Sequence, residues 1–251
     1  MDVVYAIDTS NNVDPTLLSH VKRYVSASLQ YFKFPTTATT TKENKVDEIP
    51  TGSETLSSQD GPVRAGVISF GDKSVQPIIQ LAMSKDHPMK TYRDVLNNVS
   101  PSDDKNTDNG IGQPADLIRM LNDAQQKMFA QSSSRPGTSP RGTRKRLLVV
   151  FINPSTKHQL NSPEVIRTID DMKKTYGIQT AFVLIDDKGL DFNRLKTAVG
   201  NNLMVVARNG QSLPLLYPDF EKVVANTIGI FLLIYCTDLF NLFKSCLMET
   251  S

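Results

Sequence analysis

The sequence predicts an α/β fold: a doubly wound, mostly parallel six-stranded sheet with one antiparallel edge strand and helices on both faces. Three observations predict it. Short apolar runs alternate with helix-length amphipathic segments, the pattern of strands joined by helical crossovers. Two of those runs, Val3–Ile7 and Leu147–Ile152, are apolar at every position, as in strands covered on both faces. The turn signal Gly71-Asp72-Lys73 stands between two strand-like runs, which makes them a hairpin and supplies the antiparallel edge. No internal repeat or second core pattern runs through the 251 residues. One domain over 1–234 is therefore expected, with 235–251 as a tail.

Val3–Ile7 is the first strand. Asp14 caps a helix over Pro15–Phe32, where proline suits the first helical position and Leu17, Leu18, Val21, Val25 and Leu29 recur at helical spacing. Residues 35–62 are rich in Thr, Ser, Lys and Glu without an apolar period, which predicts a long, exposed, disordered insertion. Val63–Phe70 and Val75–Leu81 form the hairpin. A short helix is expected over Met89–Val99. A longer one is expected over Gly112–Phe129, with Leu117, Met120, Leu121, Ala124 and Met128 on one face. Residues 132–146 read as a polar, basic loop, and Leu147–Ile152 as the sheet centre. Ser162 caps a helix over Pro163–Tyr176. A strand over Ile178–Ile185, a helix over Leu190–Val199, a strand over Asn202–Ala207 and a last helix over Tyr217–Leu233 complete the pattern.

Composition excludes several functions. Lys plus Arg is 28 and Asp plus Glu is 26, so a net charge of +2 gives no general basis for nucleic-acid binding. Two cysteines exclude a disulfide scaffold and a multi-cysteine zinc site. Cys236 and Cys246 leave three states open: a local disulfide, two free thiols, or bonds to partners. His20, His87 and His158 have no neighbour at ligand spacing and read as surface residues. No nucleophile elbow or phosphate-binding glycine loop is present. The start of the chain has no basic region or cleavage site of a signal peptide. It therefore reads as cytosolic or as a fragment of a longer secreted protein.

Ligands of open α/β sheets bind beyond the carboxyl ends of the strands. Three segments rich in short oxygen-bearing side chains are expected there: Asp8-Thr9-Ser10-Asn11-Asn12, Thr107-Asp108-Asn109-Gly110-Ile111-Gly112 and Asn153-Pro154-Ser155. Convergent oxygens of this kind suit a hard cation such as magnesium, which takes about six of them.

In these segments the chain resembles a von Willebrand factor type A domain, of the collagen VI and matrilin adhesion-protein type. Asp2-Val-Val-Tyr-Ala-Ile-Asp-Thr-Ser10 is similar to that family's opening strand and Asp-x-Ser-x-Ser motif. Val63–Phe70 resembles its second strand, Asn109–Gly112 its threonine-bearing loop, and Leu147–Asn153 the strand that normally ends in Thr-Asp-Gly. The resemblance implies a five-position metal-ion-dependent adhesion site. Asp8 and Ser10 match it, whereas Asn12, Asn109 and Asn153 stand where a serine, a threonine and an aspartate belong. Asparagine keeps a carbonyl oxygen but not the charge. A degenerate site is therefore expected: no cofactor, or magnesium held weakly.

The resemblance implies a non-enzymatic, extracellular matrix or adhesion module that binds a protein partner near the C-terminal edge of the sheet. An intracellular scaffold, located in the cytoplasm, is the alternative. A metal-assisted hydrolase using Asp8 is a further one, but a haloacid-dehalogenase-type site needs a second aspartate where Ser10 stands. Two more features are candidates. Arg141, Arg144, Lys145 and Arg146 form a basic run that would bind heparin-like polyanions or simply be solvated. Asn98-Val99-Ser100 fits the glycosylation acceptor pattern at Asn98.

Overall fold

The computed structural model describes residues 1–10, 13–31, 64–71, 75–81, 89–101, 115–130, 144–154, 156–185, 193–200, 203–207, 212–213 and 223. The expected insertion at 35–62, the loop at 132–143 and the tail at 235–251 lie outside these residues. So do Asn12, His87, Asn109, Arg141, Cys236 and Cys246, and the expected last helix apart from Val223, which is buried.

Six strands form one sheet: β1 Asp2–Asp8, β2 Arg64–Phe70, β3 Val75–Ile79, β4 Arg146–Ile152, β5 Ile178–Ile185 and β6 Met204–Ala207. Their order is β3-β2-β1-β4-β5-β6. All neighbours are parallel except β2 and β3. The expected sheet is therefore present: Val3 pairs with Leu147 in adjacent parallel strands, and the hairpin strand forms the antiparallel edge. Pro77 sits on that edge strand, where its missing N–H leaves no central ladder broken.

Helices cover both faces. α1, Pro15–Tyr31, begins where the Asp14 carboxylate accepts the Thr16 N–H at 2.9 Å. It packs on the face carrying Tyr5 and Phe151, with Tyr24 edge-on to Phe151 at 5.6 Å. Tyr5 is fully buried beside Ser28 of α1, and burial pushes its hydroxyl pKa far up, so it stays a neutral core residue. α2, Met89–Asn98, lies against α1. The other face carries α3, Leu117–Asp123, which widens into a π-helix over Ala124–Ala130. It also carries α4, Pro163–Tyr176, whose C-terminus stops at Gly177 with φ +62°, a conformation that glycine adopts without strain. α5, Asn193–Val199, packs beside α4.

Gly66 of β2 makes the contact between sheet and π-helix possible. A Cβ there would lie 2.6 Å from Met128 Cε and 2.9 Å from the Ile79 carbonyl oxygen. Gly66→Ala should therefore destabilise the fold by about 1–3 kcal/mol through overpacking, read as a lower denaturation midpoint in urea. An unchanged midpoint would show that the π-helix moves away at no cost.

Two expectations need correction. The described part of α3 begins at Leu117 rather than Gly112. Ala115 and Asp116 precede the helix in non-helical conformation, and the Asp116 side chain caps it by accepting the Arg119 N–H at 3.0 Å. The basic loop was expected to reach 146, but Arg146 already belongs to β4. Arg144, in the lead-in, donates to Asp2 at 3.0 Å. Asp2 is 1% exposed and also receives both Nε and Nη2 of Arg64, at 2.8 and 2.6 Å. One buried carboxylate thus ties the N-terminal ends of β1, β2 and β4.

Candidate functional site at the C-terminal edge of the sheet

β1 and β4 are adjacent and parallel, so their C-terminal ends reach the same edge. Asp8 is the last residue of β1, and Asn153 follows directly on β4. Their side chains meet there, 145 residues apart in sequence. Asn153 Nδ2 donates to Asp8 Oδ2 in a short hydrogen bond. Thr156 Oγ1 donates to the same oxygen at 2.5 Å, and the Ser10 backbone N–H donates to Asp8 Oδ1 at 3.0 Å. Asn153 Oδ1 faces the Thr156 N–H at 3.3 Å. Asp8, Ser10, Asn153 and Thr156 are all buried. The Ser10 hydroxyl is buried without a hydrogen-bond partner.

Neighbouring loops join this cluster. The Thr9 N–H and hydroxyl both donate to the Phe70 carbonyl at the end of β2, at 2.8 and 3.3 Å. A 3₁₀-helix over Lys157–Asn161 carries Gln159 toward the start of α3. Its Oε1 accepts the Leu117 N–H at 3.0 Å and its Nε2 donates to the Ala115 carbonyl at 2.6 Å. The cavity that reaches Asp8 and Asn153 is lined mainly by apolar residues, among them Leu17, Leu18 and Val21 of α1, and measures about 10 Å³, room for one water at most.

No protein-family profile matches the sequence, and no curated protein matches it. Solved structures do. Proximal thread matrix protein 1 from the mussel byssus is similar with a TM-score of 0.59 at 11% identity, over 86% of this chain and 44% of that one. Another structure of the same protein, with a zinc-occupied MIDAS motif, is similar with a TM-score of 0.59 at 13% identity, over 89% of this chain and 46% of that one. The SpRpn10 VWA domain is similar with a TM-score of 0.52 at 14% identity, over 87% of this chain and 95% of that one. The fold is that of a von Willebrand factor type A domain. The chain spans less than half the length of the mussel proteins it matches.

In the VWA fold the expected site residues separate into two groups. Asp8, Ser10 and Asn153 are brought together at the C-terminal edge. Arg144, Lys145 and Arg146 lie at the opposite end, about 20 Å away along β4. Of these, Arg144 is engaged by Asp2 and Arg146 donates to the Tyr176 carbonyl at 3.1 Å. Lys145 is exposed, and so is Asn98 at the end of α2.

Among the described residues, the side chains at Asp8 and Asn153 are not arranged as a pair of oxygen ligands for one cation. A divalent ion between Asp8 and residue 153 needs oxygens from both, but Asn153 turns its amide nitrogen to the carboxylate and its oxygen to Thr156. Both carboxylate oxygens already accept protein donors. Among the described residues of this cluster, the Ser10 hydroxyl is the oxygen left open to a metal. Among the described residues no group of three or more His, Cys, Asp or Glu side chains is placed to hold a metal.

Thr156 and Gln159 escaped the sequence reading. Thr156 carried one signal, its position three residues after Asn153, where side chains bond locally to backbone. Gln159 carried none.

Proposed function

We propose that this domain is a non-enzymatic protein-binding module of an extracellular matrix or adhesion protein, docking its partner at the C-terminal rim of the sheet without a bound cation. The observation that carries the reading is the Asp8 carboxylate, which is occupied by Asn153, Thr156 and Ser10 rather than left open toward solvent. A metal-loaded adhesion face uses its ion to take an acidic group of the partner. Here the partner instead meets the exposed residues around the closed cluster: Asp14, Pro15, Thr16, Asp116, Pro154 and His158. The fold likeness to a thread matrix protein supports the matrix setting.

Support for a non-enzymatic role comes from Ser10. A nucleophile needs a base within hydrogen-bond reach, and the buried Ser10 hydroxyl has no hydrogen-bond partner among the described residues. The cavity that reaches Asp8 is also far smaller than the several hundred Å³ of a ligand pocket.

Calorimetric titration of magnesium and manganese into the chain should show no binding at micromolar concentrations. Immobilised protein should bind at least one member of a panel of purified matrix proteins equally in magnesium and in EDTA, and His158→Glu or Asp116→Lys should weaken that binding. Binding lost in EDTA would overturn cation independence, and no binding to any matrix protein would overturn the matrix assignment.

A further inference from the structure

In a cation-dependent face, the ion joins loops that the strands merely bring near one another. Here a short stretch of chain spans the same gap. From the end of β4, Asn153 and Thr156 hold Asp8 of the β1 loop, and Gln159 holds the start of α3. The Gln159 contact is two-point. It satisfies the first amide of α3, which has no partner inside the helix, together with the carbonyl two residues before it. Thr156 and Gln159 share one backbone turn, since the Gln159 N–H donates to the Thr156 carbonyl at 3.1 Å. A displacement of Thr156 is therefore passed to Gln159.

We propose that Asn153, Thr156 and Gln159 together replace a cation as the tie between the end of β1 and the start of α3, with Gln159 as the positioning residue. The exposed residues Asp14–Thr16, Asp116, Pro154 and His158 are then presented as one preformed surface. A surface that needs no ordering on contact binds without that entropic loss. The inference rests on the cation-independent reading of this face, and the two are tested by separate measurements.

Amide hydrogen exchange on the full chain is the test. Gln159→Leu keeps the side chain's bulk and removes both hydrogen bonds, and Thr156→Val removes the hydroxyl that reaches Asp8. Leu117 exchange should rise about tenfold in Gln159→Leu, the equivalent of one hydrogen bond, and should rise in Thr156→Val as well. Val149 in the middle of β4 should keep its protection in both, which separates local loosening from global unfolding. Leu117 protection unchanged in Gln159→Leu overturns the role of Gln159. A response in Gln159→Leu but none in Thr156→Val overturns the continuous tie, because the two loops are then held independently. Faster Leu117 exchange in the wild-type protein on adding EDTA overturns the cation-independent reading itself. If Thr156→Val does not fold, Thr156→Ala, which also removes the hydroxyl that reaches Asp8, serves in its place with the same expected direction.

Discussion

Asn153→Asp should lose folding stability in EDTA and regain it in magnesium. The substitution turns the Asn153–Asp8 hydrogen bond into two facing carboxylates in a buried site. Leaving a buried charge without its donor costs roughly 3 kcal/mol. A cation between the carboxylates removes the repulsion, and at a hundredfold excess over its Kd it restores about 2.7 kcal/mol. Acid should also relieve the deficit. Repulsion raises one carboxyl's pKa above its unfolded value, so the penalty is small at low pH and grows as pH rises through that raised pKa. Urea denaturation in EDTA and in magnesium, at pH 4 and pH 7, measures all of this. A variant as stable as the wild-type protein in EDTA would show that the amide of Asn153 does not hold Asp8. The reciprocal double variant, Asp8→Asn with Asn153→Asp, should recover much of the loss, since one carboxylate and one amide again face each other.

Asp2→Asn should be at least as costly, at the other end of the sheet. It removes the negative charge that, among the described residues, lies between two guanidinium groups, those of Arg64 and Arg144, whose side chains are 10% and 19% exposed. Breaking a buried ion pair by deleting one member costs roughly 3–5 kcal/mol. The loss should be nearly insensitive to salt, because little solvent reaches the pair. The exposed pair Lys174–Asp170 provides the contrast, with side chains 73% and 45% exposed. Lys174→Ala should change stability by less than about 1 kcal/mol. A cost below about 1 kcal/mol for Asp2→Asn would show that the cluster behaves as a surface ion pair in solution.

The opposite characters of the two ends of the sheet follow from these contacts. At the N-terminal end charge is neutralised by charge, with Arg64 and Arg144 on Asp2. At the C-terminal end a single carboxylate is held by neutral donors. In the second arrangement the carboxylate oxygens already accept protein donors and Asn153 adds no charge, which is why magnesium is expected to matter only once Asn153 becomes acidic.

The sequence by itself determined the sheet and its coverage. Val3–Ile7 and Leu147–Ile152 are apolar throughout, and only strands covered on both faces use such runs, so both had to be central. Leu117, Met120, Leu121, Ala124 and Met128 marked the buried face of α3 because helical periodicity is local. Asp8, Ser10 and Asn153 were found because they end strands or follow them directly. Tertiary structure alone decided what those residues do. Whether Asn153 offers an oxygen to an ion or a nitrogen to Asp8 depends on Thr156, which lies 148 residues from Asp8 in the chain. Arg144 is drawn into an ion pair by Asp2, 142 residues away. The start of α3 depends on Gln159, 42 residues beyond it. Periodicity and capping act over a few residues and are written in the local sequence. These partners are fixed only when parallel strands align in register and bring distant strand ends to one edge.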